Sequence, residues 1–488
     1  MTRILALDAG TTGVTAVIFD GDLRPVQRAY AEFPQHFPEP GWVEHRADEI
    51  LAAVDRVLAE VLAGSPGRID AMGLTNQRET LFALDRRTGR ALGPGIVWQD
   101  RRTSARCLEL KAAGLEAKVR RTTGLLLDPY FSGTKAEWML RERPAVAAAA
   151  QAGELDFVTV DGLVARHLSV GEGTLTDFTN ASRTLLFDID SRAWDADLCA
   201  ELGVPLDSLP SVHGSTADFG MAQLPGGQSA PLTGLAGDQQ AALFGQACWE
   251  PGECKATYGT GVFLVQNAGA KRPDSDNGLL TTLAVGRAGQ PVYALEGSVF
   301  SGGLVIQWLR DGLGILAQAS ESEAMARRVP DCGGVHLVPA FAGLGAPYWD
   351  PDARAALLGM TRGSTSEHIV RAALECIALQ CTEVIELLRD ASGLPVDQLR
   401  VDGGATANNL LMEMQADFSG ARILRAAEAE ATARGAAALA ALGANLLDDP
   451  GQAAAFADAP QVFEPSIDPG ARAERLVKWR AAVARVRS

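Results

Sequence analysis

Ile4-Leu-Ala-Leu-Asp8-Ala-Gly-Thr-Thr-Gly13-Val-Thr-Ala-Val-Ile-Phe19 is two apolar runs separated by a turn of small residues. Ile4 to Leu7 and Val14 to Phe19 read as strands, and Gly10-Thr-Thr-Gly13 as the turn that folds one back on the other. Asp20-Gly21 supplies a second turn before a third strand around Val26. The spacing of Ile50, Val54, Leu58 and Val61 then predicts a helix over 47–63, stopped at Gly64, with a strand over 69–74 after it. Three strands, a helix and a strand make a mixed α/β unit, without the strict alternation of a doubly wound parallel sheet.

The same grammar recurs in the second half. Cys254-Lys-Ala-Thr-Tyr258-Gly-Thr-Gly261-Val-Phe-Leu-Val-Gln266 is again strand, glycine turn and strand. Further strands are expected at 292–295, 335–339, 399–402 and 422–424. A long helix over 366–391 carries a buried stripe of Ile369, Ala373, Ile377, Val384 and Leu388, with Ser364-Thr-Ser-Glu367 as a capping box. A helix starts near Asn408, another covers 433–442, and 225–231 reads as a surface loop. Repetition of the opening unit predicts an internal duplication, with domains 1–247 and 248–488.

Bulk composition narrows the function. The chain has 488 residues, 60 Asp+Glu against 44 Lys+Arg, and a formal charge of −16. That sign repels nucleic-acid backbones and anionic lipid, so neither is an expected partner. Any anionic ligand must be held locally. The seven cysteines are scattered with no C-x-x-C pair, which fits reduced thiols in a cytoplasmic enzyme. No signal segment, zinc site or run of about 20 apolar residues for membrane insertion is read.

Local anion binding is what the glycine turns offer. In Asp8-Ala-Gly-Thr-Thr12 and Tyr258-Gly-Thr-Gly261, backbone N–H groups can approach phosphate oxygens and Thr hydroxyls add donors. Either turn alone would serve equally as a tight hairpin; two at equivalent places can grip phosphates from both sides. Asp402-Gly-Gly-Ala-Thr-Ala-Asn-Asn409 ends a strand and opens a helix, a third place suited to a nucleoside or phosphate. Neither a G-x-x-x-x-G-K-[ST] loop nor a G-x-G-x-x-G fingerprint follows a strand.

Beyond these turns, ordered segments carry a family resemblance. They are Leu7 to Thr12, Pro40-Gly-Trp-Val-Glu-His45, Thr75-Asn-Gln-Arg-Glu-Thr80, Ile96-Val-Trp-Gln99 and Asp128-Pro-Tyr-Phe-Ser-Gly-Thr-Lys135. Thr179-Asn-Ala-Ser-Arg183, Ala236-Gly-Asp-Gln-Gln-Ala-Ala-Leu-Phe-Gly245, Thr257 to Gly261, Gly343-Leu-Gly-Ala-Pro-Tyr-Trp-Asp350 and Val401-Asp-Gly-Gly-Ala405 complete them. The chain resembles the FGGY carbohydrate kinases over nearly its whole length, on the side of the family that phosphorylates glycerol. The resemblance implies an α/β fold of two actin-like (ribonuclease H-like) domains with an active-site cleft between them, acting on glycerol with ATP and Mg²⁺. It further implies a homo-oligomer, dimer or tetramer.

By motif match, glycerol hydroxyls should meet Arg78, Glu79, Tyr130, Asp238 and Gln239, with Trp98 and Phe263 walling the carbon chain. A buried triol needs every hydroxyl satisfied, and paired donors and acceptors under apolar rings suit it. Asp238 is the expected general base, because a primary alcohol is a weak nucleophile. As a lone Asp before a helix it could equally be an N-cap. Asp8 is expected to hold Mg²⁺ through water. Thr11, Thr12, Gly13 and Thr260 are expected around the phosphates, and Gly303, Gln307, Gly404 and Asn408 along the adenosine.

Two departures stand out. The family's phosphate loop ends in arginine where this chain has Thr15, which predicts weaker nucleotide binding or a substitute cation. A Gly-x-Arg loop binds fructose 1,6-bisphosphate in enteric relatives, and the matching Gly227-Gln-Ser-Ala-Pro231 has no arginine. The histidine whose phosphorylation activates some relatives also has no match. Two other functions stay open: an FGGY kinase for another polyol or ketose such as erythritol or xylulose, and an actin-like ATPase without a polyol acceptor.

Overall fold

The computed structural model describes residues 2–65, 67–169, 173–274, 278–350, 352–426 and 430–487. Arg3–Ala9 and Gly13–Asp20 form the first hairpin, closed by the Gly10 N–H donating to the Gly13 carbonyl at 3.0 Å. Gly13 is fixed by packing, since a Cβ there would lie 2.7 Å from the Ala31 carbonyl. Pro25–Glu32 adds to one edge of the hairpin, and Ala71–Asn76 runs parallel to Arg3–Ala9 on the other. Gln228–Gly237 runs parallel to Ala71–Asn76, and Met221–Leu224 completes a six-stranded sheet among the described residues. The helix Ala47–Gly64 buries Ile50, Val54, Leu58 and Val61, the face its spacing predicts.

The segment 225–231 is not a loop. A short 3₁₀ turn, Pro225–Gly227, leads into Gln228–Gly237, a strand of the first sheet. Positive φ at Gly226 and Gly227 lets the chain reverse there, and Ala230 and Leu232 then alternate into the core.

The second sheet repeats the plan. Cys254–Tyr258 pairs antiparallel with Val262–Gly269, which pairs with Pro291–Val299, and Leu280–Val285 lies outermost. On the other side Gln398–Asp402 and Arg422–Arg425 run parallel to Cys254–Tyr258, and Gln461–Phe463 closes a sheet of seven strands among the described residues. The expected strand at 335–339 is shorter, His336–Val338. It pairs with Ala356–Leu358 outside the main sheet.

Ser366–Ser392 is one helix of 27 residues, with Ile369 half-buried at the rim of its stripe. Its capping box lies one residue later than the sequence suggests and uses a different partner. Thr365 is the N-cap, and the His368 ring, rather than Glu367, accepts from the Thr365 N–H at 3.2 Å. Ser364 is occupied one turn upstream, where its hydroxyl accepts from the Thr361 N–H.

One helix crosses between the halves. Ala431–Gly443 packs its alanines against the first sheet, and the Thr233 hydroxyl donates to the Ala440 carbonyl at 2.8 Å. It also crosses Asp238–Gly245 at backbone contact. A Cβ on Gly435 would lie 1.8 Å from the Ala241 carbonyl, and one on Gly245 would lie 2.0 Å from the Ala431 carbonyl. A division at residue 247 therefore leaves a helix of the second segment in the core of the first. Among the described residues, no helix is long and apolar enough to cross a membrane.

Candidate active site

The parallel strands decide where chemistry can occur. Ala9, Asn76 and Gly237 are register partners at the carboxyl ends of three neighbouring strands. The first glycine turn, the Gln77-Arg78-Glu79 segment and Asp238 therefore emerge at one edge, the usual place for a ligand on such sheets. In the second sheet Thr257 pairs with Asp402, which sends the second glycine turn and Gly403-Gly404 out of the equivalent edge. The two edges face each other: the Trp98 and Phe263 rings, one from each half, lie 6.4 Å apart at 79°.

Between those edges lies a buried charge network. Arg78 donates to Glu296 through Nη1 at 2.5 Å and Nη2 at 3.1 Å, and to the Tyr130 hydroxyl at 3.3 Å. Arg183 donates to Glu79 at 2.7 Å and to Glu296 at 2.8 Å. All four charged side chains are at most 2% exposed. Desolvation works against the Glu296 carboxylate, but Arg183 and Arg78 outweigh it and hold its pKa at about 2. Neither Glu296 nor Arg183 carried a role in the sequence reading. Arg183 ends the Thr179-Asn-Ala-Ser-Arg183 segment, whereas Glu296 sits in a strand whose neighbours are apolar, and its partner Arg78 is 218 residues away.

Asp238 is the first residue of its helix rather than the cap, a place taken by Gly237. Its Oδ1 accepts from the Gln239 N–H at 2.7 Å and lies 3.3 Å from Arg78 Nε, with 31% of the side chain open to the cleft. Burial raises its pKa against the pull of Arg78. Arg78 Nε has no well-angled hydrogen bond, so the wall between Arg78 and Asp238 keeps an unspent donor. Trp98 and Tyr130 stack edge to face at 5.4 Å, and the Trp98 indole donates to the Thr11 hydroxyl at 3.0 Å. That bond ties the aromatic wall to the first glycine turn. The Lys135 ammonium, fully buried, donates to the Tyr130 carbonyl at 2.9 Å from behind.

At the nucleotide end Thr12 and Thr260 are exposed at the tips of their turns. The Gly303 N–H donates to the Gly259 carbonyl at 2.8 Å, and a Cβ on Gly303 would lie 3.9 Å from that of Ala405, so the second and third glycine segments adjoin. A Cβ on Gly404 would meet open space, and Gln307 is exposed on the helix Leu304–Asp311. Asn408 is already employed: its Oδ1 caps Asn409–Ser419 at Leu411 N–H, 2.9 Å, and its Nδ2 donates to Ser322. Gly403 has φ +92°, and a Cβ there would strike the Tyr258 backbone.

Asp8 is the penultimate residue of its strand, beside the first turn, and its pKa is raised to about 7 by burial, then by Asp238 and Glu430. Thr15 lies opposite Asp8 in the hairpin, with Tyr30 opposite Thr15 on the next strand. On that strand Arg28 is tied to Glu430 at 2.8 Å. Among the described residues no three His, Cys, Asp or Glu side chains converge to hold a metal directly.

The model of the FGGY family of carbohydrate kinases, N-terminal domain, matches residues 3–245, and that of the C-terminal domain matches 254–444. The chain belongs to the FGGY family of carbohydrate kinases. Among the relatives of this FGGY kinase, a glycerol kinase from Alkalilimnicola ehrlichii is 51% identical over 99% of the chain and 98% of its own length. One from Carboxydothermus hydrogenoformans is 49% identical over the same shares. Among solved structures, Plasmodium falciparum glycerol kinase with ADP superposes with a TM-score of 0.94 at 33% identity, covering 100% of this chain and 98% of that one. The fold of this FGGY kinase is accordingly the actin-like, two-domain α/β architecture.

Proposed function

We propose that the protein is a glycerol kinase, transferring the γ-phosphoryl group of Mg-ATP to a primary hydroxyl of glycerol to give sn-glycerol 3-phosphate and ADP. The observation carrying this is identity near one half, over almost the full chain, to proteins named glycerol kinase. The site chemistry supports it. Arg78, Glu79, Tyr130, Asp238 and Gln239 offer donors and acceptors beside the Trp98 and Phe263 rings, a lining suited to a small polyol.

In this reading residues 1–247 carry the acceptor and 248–488 most of the nucleotide. Arg78 and Gln239 hold hydroxyls in place, and Asp238 takes the proton of the attacking one. The new P–O bond forms as the bond to the bridging oxygen of ADP breaks. Thr11, Thr12, Gly13 and Thr260 steady the phosphates; Gly303, Gln307, Gly404 and the backbone around Asn408 line the adenosine. Bound Mg²⁺ would neutralise phosphate charge. Asp8, beside the first glycine turn and among acidic neighbours, would hold the ion through water. Closure of the halves would exclude the water that otherwise hydrolyses ATP.

A coupled ADP-release assay tests the acceptor. Glycerol should give a kcat/KM at least about tenfold above those of erythritol and xylulose, since each misfit hydroxyl or carbon costs about 1–3 kcal/mol. A lead for erythritol or xylulose would reassign the substrate, and steady hydrolysis indifferent to every polyol would make the protein an ATPase. The arginine-free Gly227 to Pro231 segment carries a second expectation. Millimolar fructose 1,6-bisphosphate at constant ionic strength should leave the glycerol-dependent rate unchanged, and inhibition would overturn this.

A further inference from the structure

Lys255 is a fully buried lysine with no carboxylate partner among the described residues. It lies on the strand Cys254–Tyr258, three residues before the second glycine turn, and none of its surface is exposed. Its ammonium donates to the Oε1 of Gln239, on the other half of the molecule, and to the Thr257 hydroxyl at 2.9 Å. Among the described residues no carboxylate comes within ion-pair distance of it, and burial lowers its pKa against the more distant pull of Asp402 and Asp238. Arg78 and Arg183, by contrast, are hydrogen-bonded to carboxylates; Lys135 shares the lack of a carboxylate partner but faces a backbone carbonyl, whereas Lys255 faces a side chain of the other half. Burying an ammonium against two neutral oxygens is costly, so its retention needs a use.

We infer that Lys255 is a positioning residue: it fixes the Gln239 amide with Oε1 turned inward and the NH₂ group presented to the acceptor. Protonated Lys255 has only donors, so the atom facing it is the amide oxygen, and in that state the two faces of Gln239 cannot exchange. Gln239 is half-buried, and its Nε2 donates to no protein acceptor among the described residues. Gln239 is thereby an obligate donor, selecting an acceptor oxygen that can receive a hydrogen bond. Because Lys255 and Thr257 belong to the strand that carries the second glycine turn, the half that grips phosphate also sets the hydroxyl-reading group of the other half. The role deepens the glycerol kinase reading and rests on it.

The test is a double-mutant cycle of Lys255→Met and Gln239→Ala, read as separate KM and kcat values for acceptor and ATP. Lys255→Met should raise the glycerol KM about tenfold, the scale of one lost hydrogen bond, with the ATP KM within about twofold. The double variant should be no worse than Gln239→Ala alone. Met is similar in length and needs no desolvated charge, so the thermal midpoint should not fall. Gln239→Glu is the independent arm: it keeps an oxygen for Lys255 and removes the donors. Its glycerol KM should rise about tenfold in a protein at least as stable as wild type. Multiplying effects in the cycle, an unchanged glycerol KM in Lys255→Met, or wild-type glycerol binding by Gln239→Glu would each overturn the assignment. Should the wild type use a different polyol, the function reading fails separately and the cycle is run with that polyol.

Discussion

Asp238→Asn should lower kcat by about 10³, within the 10²–10⁴ that a placed general base contributes, while glycerol still binds. The substitution is nearly isosteric. An Asn oxygen can still accept from the Gln239 N–H, now at 2.7 Å, and stay beside Arg78 Nε. What disappears is a group able to take the hydroxyl proton. Calorimetry should find glycerol affinity within about threefold of wild type, and single-turnover phosphoryl transfer should carry the whole loss. Turnover within about tenfold of wild type would remove Asp238 from the proton transfer.

Glu296→Gln should be the most damaging single change outside the reacting groups. The carboxylate accepts three hydrogen bonds from two buried guanidiniums, and a neutral amide leaves Arg183 with Glu79 and Arg78 with only Glu79 and Asp238 beside its Nε. Breaking a buried pair from one side costs about 3–5 kcal/mol. For a chain of this length that corresponds to roughly 3–5 °C in thermal midpoint, if unfolding is cooperative. Freed Arg78 should also leave its hydroxyl-binding position and raise the glycerol KM.

The pH dependence follows from the same carboxylate. Its pKa falls from 4.5 to about 2 on folding, so its stabilisation is complete above pH 4.5 and is lost as pH drops through 2. The gap between wild type and variant should therefore be widest at neutral pH and narrow on acidification. A stability difference below about 1 kcal/mol at pH 7 would mean the network is not holding the two arginines.

Features set by local backbone chemistry were legible in the sequence. Gly10 to Gly13 and Gly259 to Gly261 announce turns, with Gly13 and Gly261 at points where a Cβ would strike a neighbouring carbonyl, and the helix faces at Ile50–Val61 and Ala373–Leu388 follow from period alone. The Arg78–Glu79 pair became visible only through its motif, since an adjacent Arg and Glu are ordinarily a surface feature. Glu296 stayed hidden because what gives it meaning is contact across the cleft. The capping box slipped by one residue because His368 was not expected to do what Glu usually does. The stretch between Thr80 and Asp177 was hardly divided in advance. Its strands Leu81–Asp85, Gly95–Ile96 and Leu155–Thr159 join Glu44–His45, from earlier in the chain, in a separate sheet of four strands among the described residues, whose order follows no sequential rule.

The helix Ala431–Gly443 has a consequence for how the molecule can be taken apart. It is supplied by the second segment but completes the hydrophobic layer of the first, and Gly245 and Gly435 lock it against Asp238–Gly245 with no room for a methyl group. A fragment ending at residue 247 would leave its sheet uncovered, and the remainder would carry an orphaned alanine helix. The two halves thus share one apolar layer at that crossing, riveted where their backbones meet, and separately expressed halves are expected not to fold alone.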